Sequence, residues 1–276
     1  MSESNELDRL VNTNGQFRPW VLAETPYSYV KENPYDLVVL PMGATEPHNL
    51  HLPYGTDYYE GTIIGEQLCR QAWAQGAKTL LLPTIPYGTE TNMSQFPLAM
   101  NLNPSTLSTV IADLVESVQR AGIQKMVILN SHGGNDFKPV LRQLVDKTNV
   151  HIFLCSWFTC LQDVYFDIFE NAEDHAGEME TSFIMHYLPE LVSKKADGSL
   201  NADSGSVRKL RFEALQKKWV SITRPWHLLT TNSGSGNPHA ASAEKGRLLT
   251  EQVCQRLVPF LVELAHAKVD DTFPFE

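Results

Sequence analysis

Four short apolar runs, separated by longer stretches of helical period, limit what this chain can fold into. DLVVLPMG (36–43), TLLLPTI (79–85), KMVILNS (125–131) and HIFLCSWF (151–158) are continuous rather than alternating, as parallel strands buried on both faces are. Between and after them, YYEGTIIGEQLCRQAWAQGA (58–77), PSTLSTVIADLVESVQRAG (104–122) and DFKPVLRQLVDKTN (136–149) repeat apolar residues at threes and fours. Strand-length and helix-length patterns in alternation predict an α/β fold, a three-layer α/β/α sandwich on a mostly parallel central sheet. Pro104 followed by Ser105 suits a helix start and Gly122 its end.

At about 100–200 residues per domain, 276 residues allow one large α/β unit or two small ones. No repeat or low-complexity tract divides the chain, so a single domain over 1–276 is expected. The polar stretch KKADGSLNADSGSVRK (194–209) reads as a surface excursion bordering the site rather than as a linker. With 42% hydrophobic and 20% charged residues the chain can bury a full core without staples. A formal charge of −10 with no Lys/Arg cluster repels polyanions, which argues against nucleic acid and anionic membrane as partners. No run approaches the roughly 18 apolar residues of a membrane span, and MSESNELDRL lacks the basic start and apolar run of a secretory signal. The four cysteines at 69, 155, 160 and 254 are scattered, and CSWFTC has the wrong spacing for a CxxC motif, so the expected address is a reducing cytoplasm.

Three clusters carry chemistry. In TEPHNLHLPYGTD (45–57), Glu46 and His48 flank Pro47 in extended chain just past the first strand, where open α/β sheets bind ligands, and Asp57 stands at the entry to the next helix. His132, in NSHGGND (130–136), follows another buried strand, and Gly133 and Gly134 let backbone approach a ligand closely. Carboxylate and imidazole are ligands for divalent Zn, Mn or Fe, and a carboxylate can bridge two ions, so an E-x-H…D set with a distant His makes sense as a dinuclear centre. The bland alternative is a polar loop whose Asp caps a helix. GxxxxGK[ST], GxGxxG and GxSxG are all absent, which makes a phosphate loop the poorer reading and Ser131, beside His132, a weak nucleophile candidate. DHAGEMETS (174–182) places His175, Glu178 and Glu180 at the start of a helix. Glu178 and Glu180 lie about 200° apart around it, so only one of them can face an ion.

Together, MGATEPHNLHLPYGTD, NSHGGN and HAGEMETS resemble the creatininase family, the creatinine amidohydrolases and their relatives, over roughly residues 36–185. The resemblance implies a three-layer sandwich, usually assembled as a hexamer, holding two divalent ions per chain. Carried over, Glu46, Asp57 and His132 would hold one ion and His48 and Asp57 the other, with Asp57 bridging. Creatininase has a glutamate ligand where this chain has Gly134, and Glu180 is the residue expected to replace it. His175 would be the proton shuttle, oriented by Glu178. GTETNMSQFP (88–97) departs from the family's substrate loop, with Glu90 in place of a serine and Met93 in place of a histidine. Glu90, Gly133 and Gly134 are therefore expected to meet substrate. Asn49 stands where the family usually has Gly. The implied function is metal-dependent hydrolysis of a non-peptide C–N bond in a small cyclic amide or formamide. The rivals are a metallopeptidase acting on a short peptide and a non-catalytic metal-binding protein on the same scaffold.

Overall fold

Each continuous apolar run forms a strand, and the four strands lie parallel. A computed structural model describes residues 17–276; the acidic N-terminal decapeptide lies outside the described residues. β1 (Leu37–Met42), β2 (Thr79–Leu81), β3 (Lys125–Asn130) and β4 (His151–Ser156) form one sheet in the order β2-β1-β3-β4. Register is set by pairs such as Val39 with Leu81 and with Val127, and Ile128 with Leu154. Five longer helices cover the sheet: α1 (Thr56–Ala74), α2 (Pro104–Arg120), α3 (Lys138–Leu144), α4 (Glu178–Tyr187) and α5 (Ala243–His266).

Strand period explains why the runs carry no polar alternation. Leu37, Val39, Val127 and Leu129 point into one core with α1, α4 and α5, whereas Val38, Leu40, Met126 and Ile128 point into a second core with α2 and α3. Both faces are covered, so both sets must be apolar. The edges differ from expectation. β2 ends at Leu81 rather than at residue 85, because Pro83 has no N–H to extend the ladder. β4 is half-buried along its whole length, as an edge strand is, and turns into a 3₁₀ segment (Trp157–Leu161). The helix expected over 136–149 contracts to Lys138–Leu144.

α5, the longest helix among the described residues, was not among the expected elements. Ser242 caps it by accepting from the Lys245 N–H at 3.3 Å. At its other end the Lys125 ammonium, rooted in β3, donates to the carbonyls of Leu264, Ala265 and Ala267 at 2.7–2.9 Å, where a helix C-terminus has unpaired acceptors and negative partial charge. All four cysteines are free, and no helix among the described residues is long and apolar enough to cross a membrane.

Strand order places the site. The chain leaves β1 toward β2 on one side and β3 toward β4 on the other, so a crevice opens between β1 and β3 at their C-terminal ends. Glu46 and His48 follow β1 and His132 follows β3.

Candidate metal centre

The loop from β1 to α1 cannot be helical through Pro47, and it turns back at Asn49, whose φ of 53° lies in the left-handed region that Gly or Asn tolerates. Asn49 is held there by its own contacts. Its N–H donates to Ser233 Oγ at 2.9 Å, and its side chain accepts from the Leu50 N–H at 2.8 Å. The left-handed turn at this position is thus held by an asparagine, without a glycine. α1 then begins at Thr56, which puts the Asp57 carboxylate in the first turn at the positive end of the helix. His132 is set by a tight turn after β3 in which Asn130 Nδ2 donates to the His132 carbonyl at 2.8 Å.

Glu46, His48, Asp57, His132, His175 and Glu180 converge. The first five are at least 95% buried, and the Glu180 side chain is 12% exposed. His132 Nδ1 lies 3.0 Å from Glu46 Oε1 and 3.1 Å from Asp57 Oδ2, while His48 Nε2 lies 3.3 Å from Asp57 Oδ1 and 3.8 Å from Glu180 Oε2. Two potential ligand sets result, Glu46–Asp57–His132 and His48–Asp57–Glu180, and Asp57 belongs to both. A third set combines Glu46, His48 and His175.

The donor set fits divalent cations. Each imidazole has one nitrogen tied to backbone: His48 Nδ1 donates to the Glu46 carbonyl at 3.0 Å, His175 Nε2 to the Pro47 carbonyl at 2.9 Å and His132 Nε2 to the Thr89 carbonyl at 3.2 Å. That leaves His48 Nε2 and His175 Nδ1 aimed into the cluster as the nitrogens available to an ion, the usual arrangement for an imidazole ligand. Glu46 Oε2 and Asp57 Oδ2 are buried without a well-directed hydrogen bond, Asp57 Oδ2 having only the His132 ring nitrogen close by at 3.1 Å, which is costly unless a cation satisfies them.

Electrostatics point the same way. Burial disfavours the His48 cation, yet the carboxylates of Asp57, Glu180 and Glu46 hold its pKa up at about 10, and His132 is raised for the corresponding reason. Burial raises Glu46 well above the carboxylate range and lifts Glu180 to about 7, whereas the two imidazoles draw Asp57 far down. Protons here supply positive charge that metal ions would otherwise supply. His175 behaves oppositely: burial, and then the charge of His48 beside it, hold it well below the ordinary imidazole value. Its ring lies against His48, tilted, with centroids 4.2 Å apart, and meets the Trp226 ring edge to face at 5.2 Å.

Other expected positions lie elsewhere. Glu178, two residues from Glu180, faces away from the cluster: its carboxylate accepts from the N–H groups of Glu170 and Asn171 and from the ammonium of Lys245. Its polar partners are Glu170, Asn171 and Lys245 and not His175, so the expectation that it orients that ring is corrected. Glu90 is fully buried beneath His132 and does not reach the cleft wall. A substrate cannot touch it there, which corrects the expectation of a substrate-facing carboxylate. Gly133 and Gly134 do line the cleft. Ser131 accepts from the Trp157 indole N–H at 3.1 Å and is no free nucleophile.

The cleft above the cluster holds about 400 Å³ and is bounded by Met93, Thr223, Arg224 and Trp226. Arg224 pairs with Asp174 at 2.7 Å and lies over the Trp226 ring at 5.3 Å. Sequence reading missed Arg224 and Trp226, since they belong to no motif and reach the cleft only through the path of the chain after residue 209. The expected excursion at 194–209 touches the site loop through Asp203, whose Oδ1 accepts from Asn49 Nδ2 at 3.2 Å.

A family model described as creatinine amidohydrolase matches residues 25–261, which includes every residue of the cluster. The chain belongs to the creatininase family. With that membership its activity class is metal-dependent amide hydrolysis. It is 25% identical over 249 residues to the mycofactocin precursor peptide peptidase of Mycobacterium ulcerans (strain Agy99), covering 86% of this chain and 90% of that one. It is 24% identical over 176 residues to the creatinine amidohydrolase of Pseudomonas putida, covering 56% of this chain and 66% of the other. Among solved structures, a Bacteroides fragilis protein provisionally described as a creatinine amidohydrolase superposes with a TM-score of 0.81 at 32% identity, covering 93% of this chain and all of that one. A creatininase variant of Zn–Zn type shares the fold, with a TM-score of 0.72 at 20% identity over 91% of this chain and all of that one.

Proposed function

We propose that the protein hydrolyses a C–N bond of a small cyclic amide or formamide, with a water that two divalent ions would activate. The observation that carries this reading is the pair of overlapping ligand sets sharing Asp57. When bound, two such ions would lower the pKa of water toward neutrality and polarise the carbonyl under attack. Glu46, Asp57 and His132 would hold one and His48, Asp57 and Glu180 the other.

The remaining work falls to the chain. His175 is neutral, and its Nδ1 lone pair lies 3.7 Å from Glu46 Oε1 at the base of the cleft, so it can take up a proton there and deliver it to the departing nitrogen. The Pro47 carbonyl holds its other nitrogen in the N–H tautomer throughout. Trp226, 96% buried, packs on the His175 edge and excludes water from that side. Gly133 and Gly134 let the scissile group approach without a side chain in the way.

A second reading, cleavage of a short peptide, is favoured by the similarity to the mycofactocin precursor peptide peptidase along most of both chains. Ile222, on the cleft wall and 59% exposed, would give a longer substrate room to leave the site. Turnover of a panel of cyclic amides, formamides and short peptides by Zn²⁺- or Mn²⁺-loaded protein decides between them. Activity on cyclic amides or formamides alone supports the first reading, and activity on peptides alone supports the second. No turnover of any member, with both ions bound, would count against both.

A further inference from the structure

The HGGN turn holds a second carboxylate contact that the ligand sets do not use. His132 presents Nδ1 to Glu46 and Asp57, and its opposite nitrogen, Nε2, points to the loop that follows β2. There Nε2 donates to the Thr89 carbonyl at 3.2 Å, and Glu90 Oε1 stands 2.8 Å away. Glu90 is completely buried, with Oε1 at hydrogen-bond distance from His132 Nε2, Oε2 without a well-directed partner and the Glu46 carboxylate close by. A carboxylate placed there without a purpose would be removed from water for nothing.

The loop around Glu90 is fixed. The Glu90 N–H donates to Asn101 Oδ1 at 2.7 Å, the Thr89 N–H donates to Asn135 Oδ1 at 3.1 Å, and the Leu102 N–H donates to the Gly88 carbonyl at 2.7 Å. Asn135 belongs to the HGGN turn, so loop and turn are clamped together. Gly134 makes that approach possible. A Cβ on it would fall 2.3 Å from His132 Nε2 and 2.7 Å from the Thr89 carbonyl oxygen, well inside contact distance. A side chain at 134 and this packing of the 88–90 loop on His132 exclude each other.

We propose that Glu90 is a positioning residue: its carboxylate accepts from His132 Nε2 together with the Thr89 carbonyl and so turns Nδ1 toward Glu46 and Asp57. A carboxylate behind a ligating imidazole fixes its tautomer and strengthens its donor nitrogen, which is how such partners affect metal affinity. This inference rests on the metal-binding reading above, and it assigns Glu90 a role toward the ligand rather than toward substrate.

The test compares full-length wild-type protein with Glu90→Gln for Zn²⁺ affinity, by competition with a chromophoric chelator, and for the visible spectrum of the Co²⁺-loaded form. Gln preserves size and an acceptor oxygen but not charge. The expected result is an affinity roughly 10- to 100-fold weaker, with both ions still bound at saturation and a shifted Co²⁺ spectrum. Gly134→Ala, which displaces the ring by another route, should weaken affinity in the same direction and covers the case in which Glu90→Gln does not fold. Wild-type affinity and spectrum in Glu90→Gln would make Glu90 a filler and overturn the inference. Loss of one ion at saturation would make Glu90 a direct ligand and overturn it equally. Failure of the wild-type protein itself to bind Zn²⁺ would instead bring down the proposed function, and this inference with it.

Discussion

Glu178 and Glu180 stand two residues apart in the first turn of α4, and they serve opposite purposes. Glu180 turns toward His48, with one oxygen 3.8 Å from Nε2 and accepting from the Ala176 N–H at 2.5 Å. Glu178 turns the other way and binds the chain to itself, taking the N–H groups of residues 170 and 171 and the Lys245 ammonium on α5. A helix separates neighbours at i and i+2 by about 200°, so one turn can serve the site and the scaffold at once. Charge follows direction. Burial raises both carboxylates, but around Glu178 the lysine and the donors outweigh it and hold the group below its ordinary value, whereas Glu180 ends at about 7. One carboxylate is satisfied by the fold, and the other faces the buried imidazole and carboxylate cluster.

The widest test of that division is the residue shared by both ligand sets. Asp57→Ala should empty both metal positions and abolish hydrolysis, because the Asp57 carboxylate places one oxygen against His48 and the other against His132. Elemental analysis checks it, and full metal content in the variant would end the dinuclear reading. Next in size is His175. Its Ala variant should keep both ions and lose about 10²–10⁴ in turnover, the worth of a positioned acid/base. Loss of an ion instead would assign His175 to the third ligand set, with Glu46 and His48.

How much of this was legible beforehand follows from the range of each signal. The four strands and the α1 and α2 helices are written in local period, and the parallel sheet follows from runs buried on both faces. Family motifs mark the cluster because each of its members lies within a few residues of a strand or helix end. α5 went unread although Leu249, Val253, Leu261 and Leu264 share a buried face, since Pro259 and interleaved polar residues blur its period. The placement of Glu90 was beyond local reading. A substitution in a substrate loop looks substrate-facing until the loop is seen clamped by Asn135 against His132. Helix phase did foretell that Glu178 and Glu180 could not share a target, but which one faces the ion depends on where α5 places Lys245.

Exchanging charge for amide at each of the two glutamates sharpens the comparison directly. Glu180→Gln should release the ion on the His48 side while the His132 side stays filled, since the amide oxygen is a weaker, uncharged donor. Glu178→Gln should retain both ions and lower stability by about 2 kcal/mol, the order of a hydrogen bond to a charged group, because Lys245 and two backbone donors lose their anion. Metal analysis and urea unfolding of the two variants read these outcomes. Metal loss in Glu178→Gln with full retention in Glu180→Gln would reverse the assignment.

The smallest expected effect is a difference in how the two variants respond to pH when no metal is present. Glu178 has its pKa depressed in the folded chain, so the folded state binds fewer protons at that site than the unfolded state does. Stability from it is complete above the unfolded carboxylate value of roughly 4.3 and is lost as pH falls through the folded value. The deficit of Glu178→Gln relative to wild type should therefore shrink on acidification below that point. Glu180 is raised to about 7, so between roughly 4.3 and that value the folded state binds more protons than the unfolded state, and stability falls as pH rises across this window. Metal-free Glu180→Gln, which cannot ionise there, should gain on wild type from pH 5 to pH 8. Urea midpoints for the three metal-free proteins at pH 3, 5 and 8 check both signs. A Glu180→Gln advantage that does not grow toward pH 8 would mean the carboxylate is compensated within the fold, as Glu178 is, and would leave it no charge reserved for an ion.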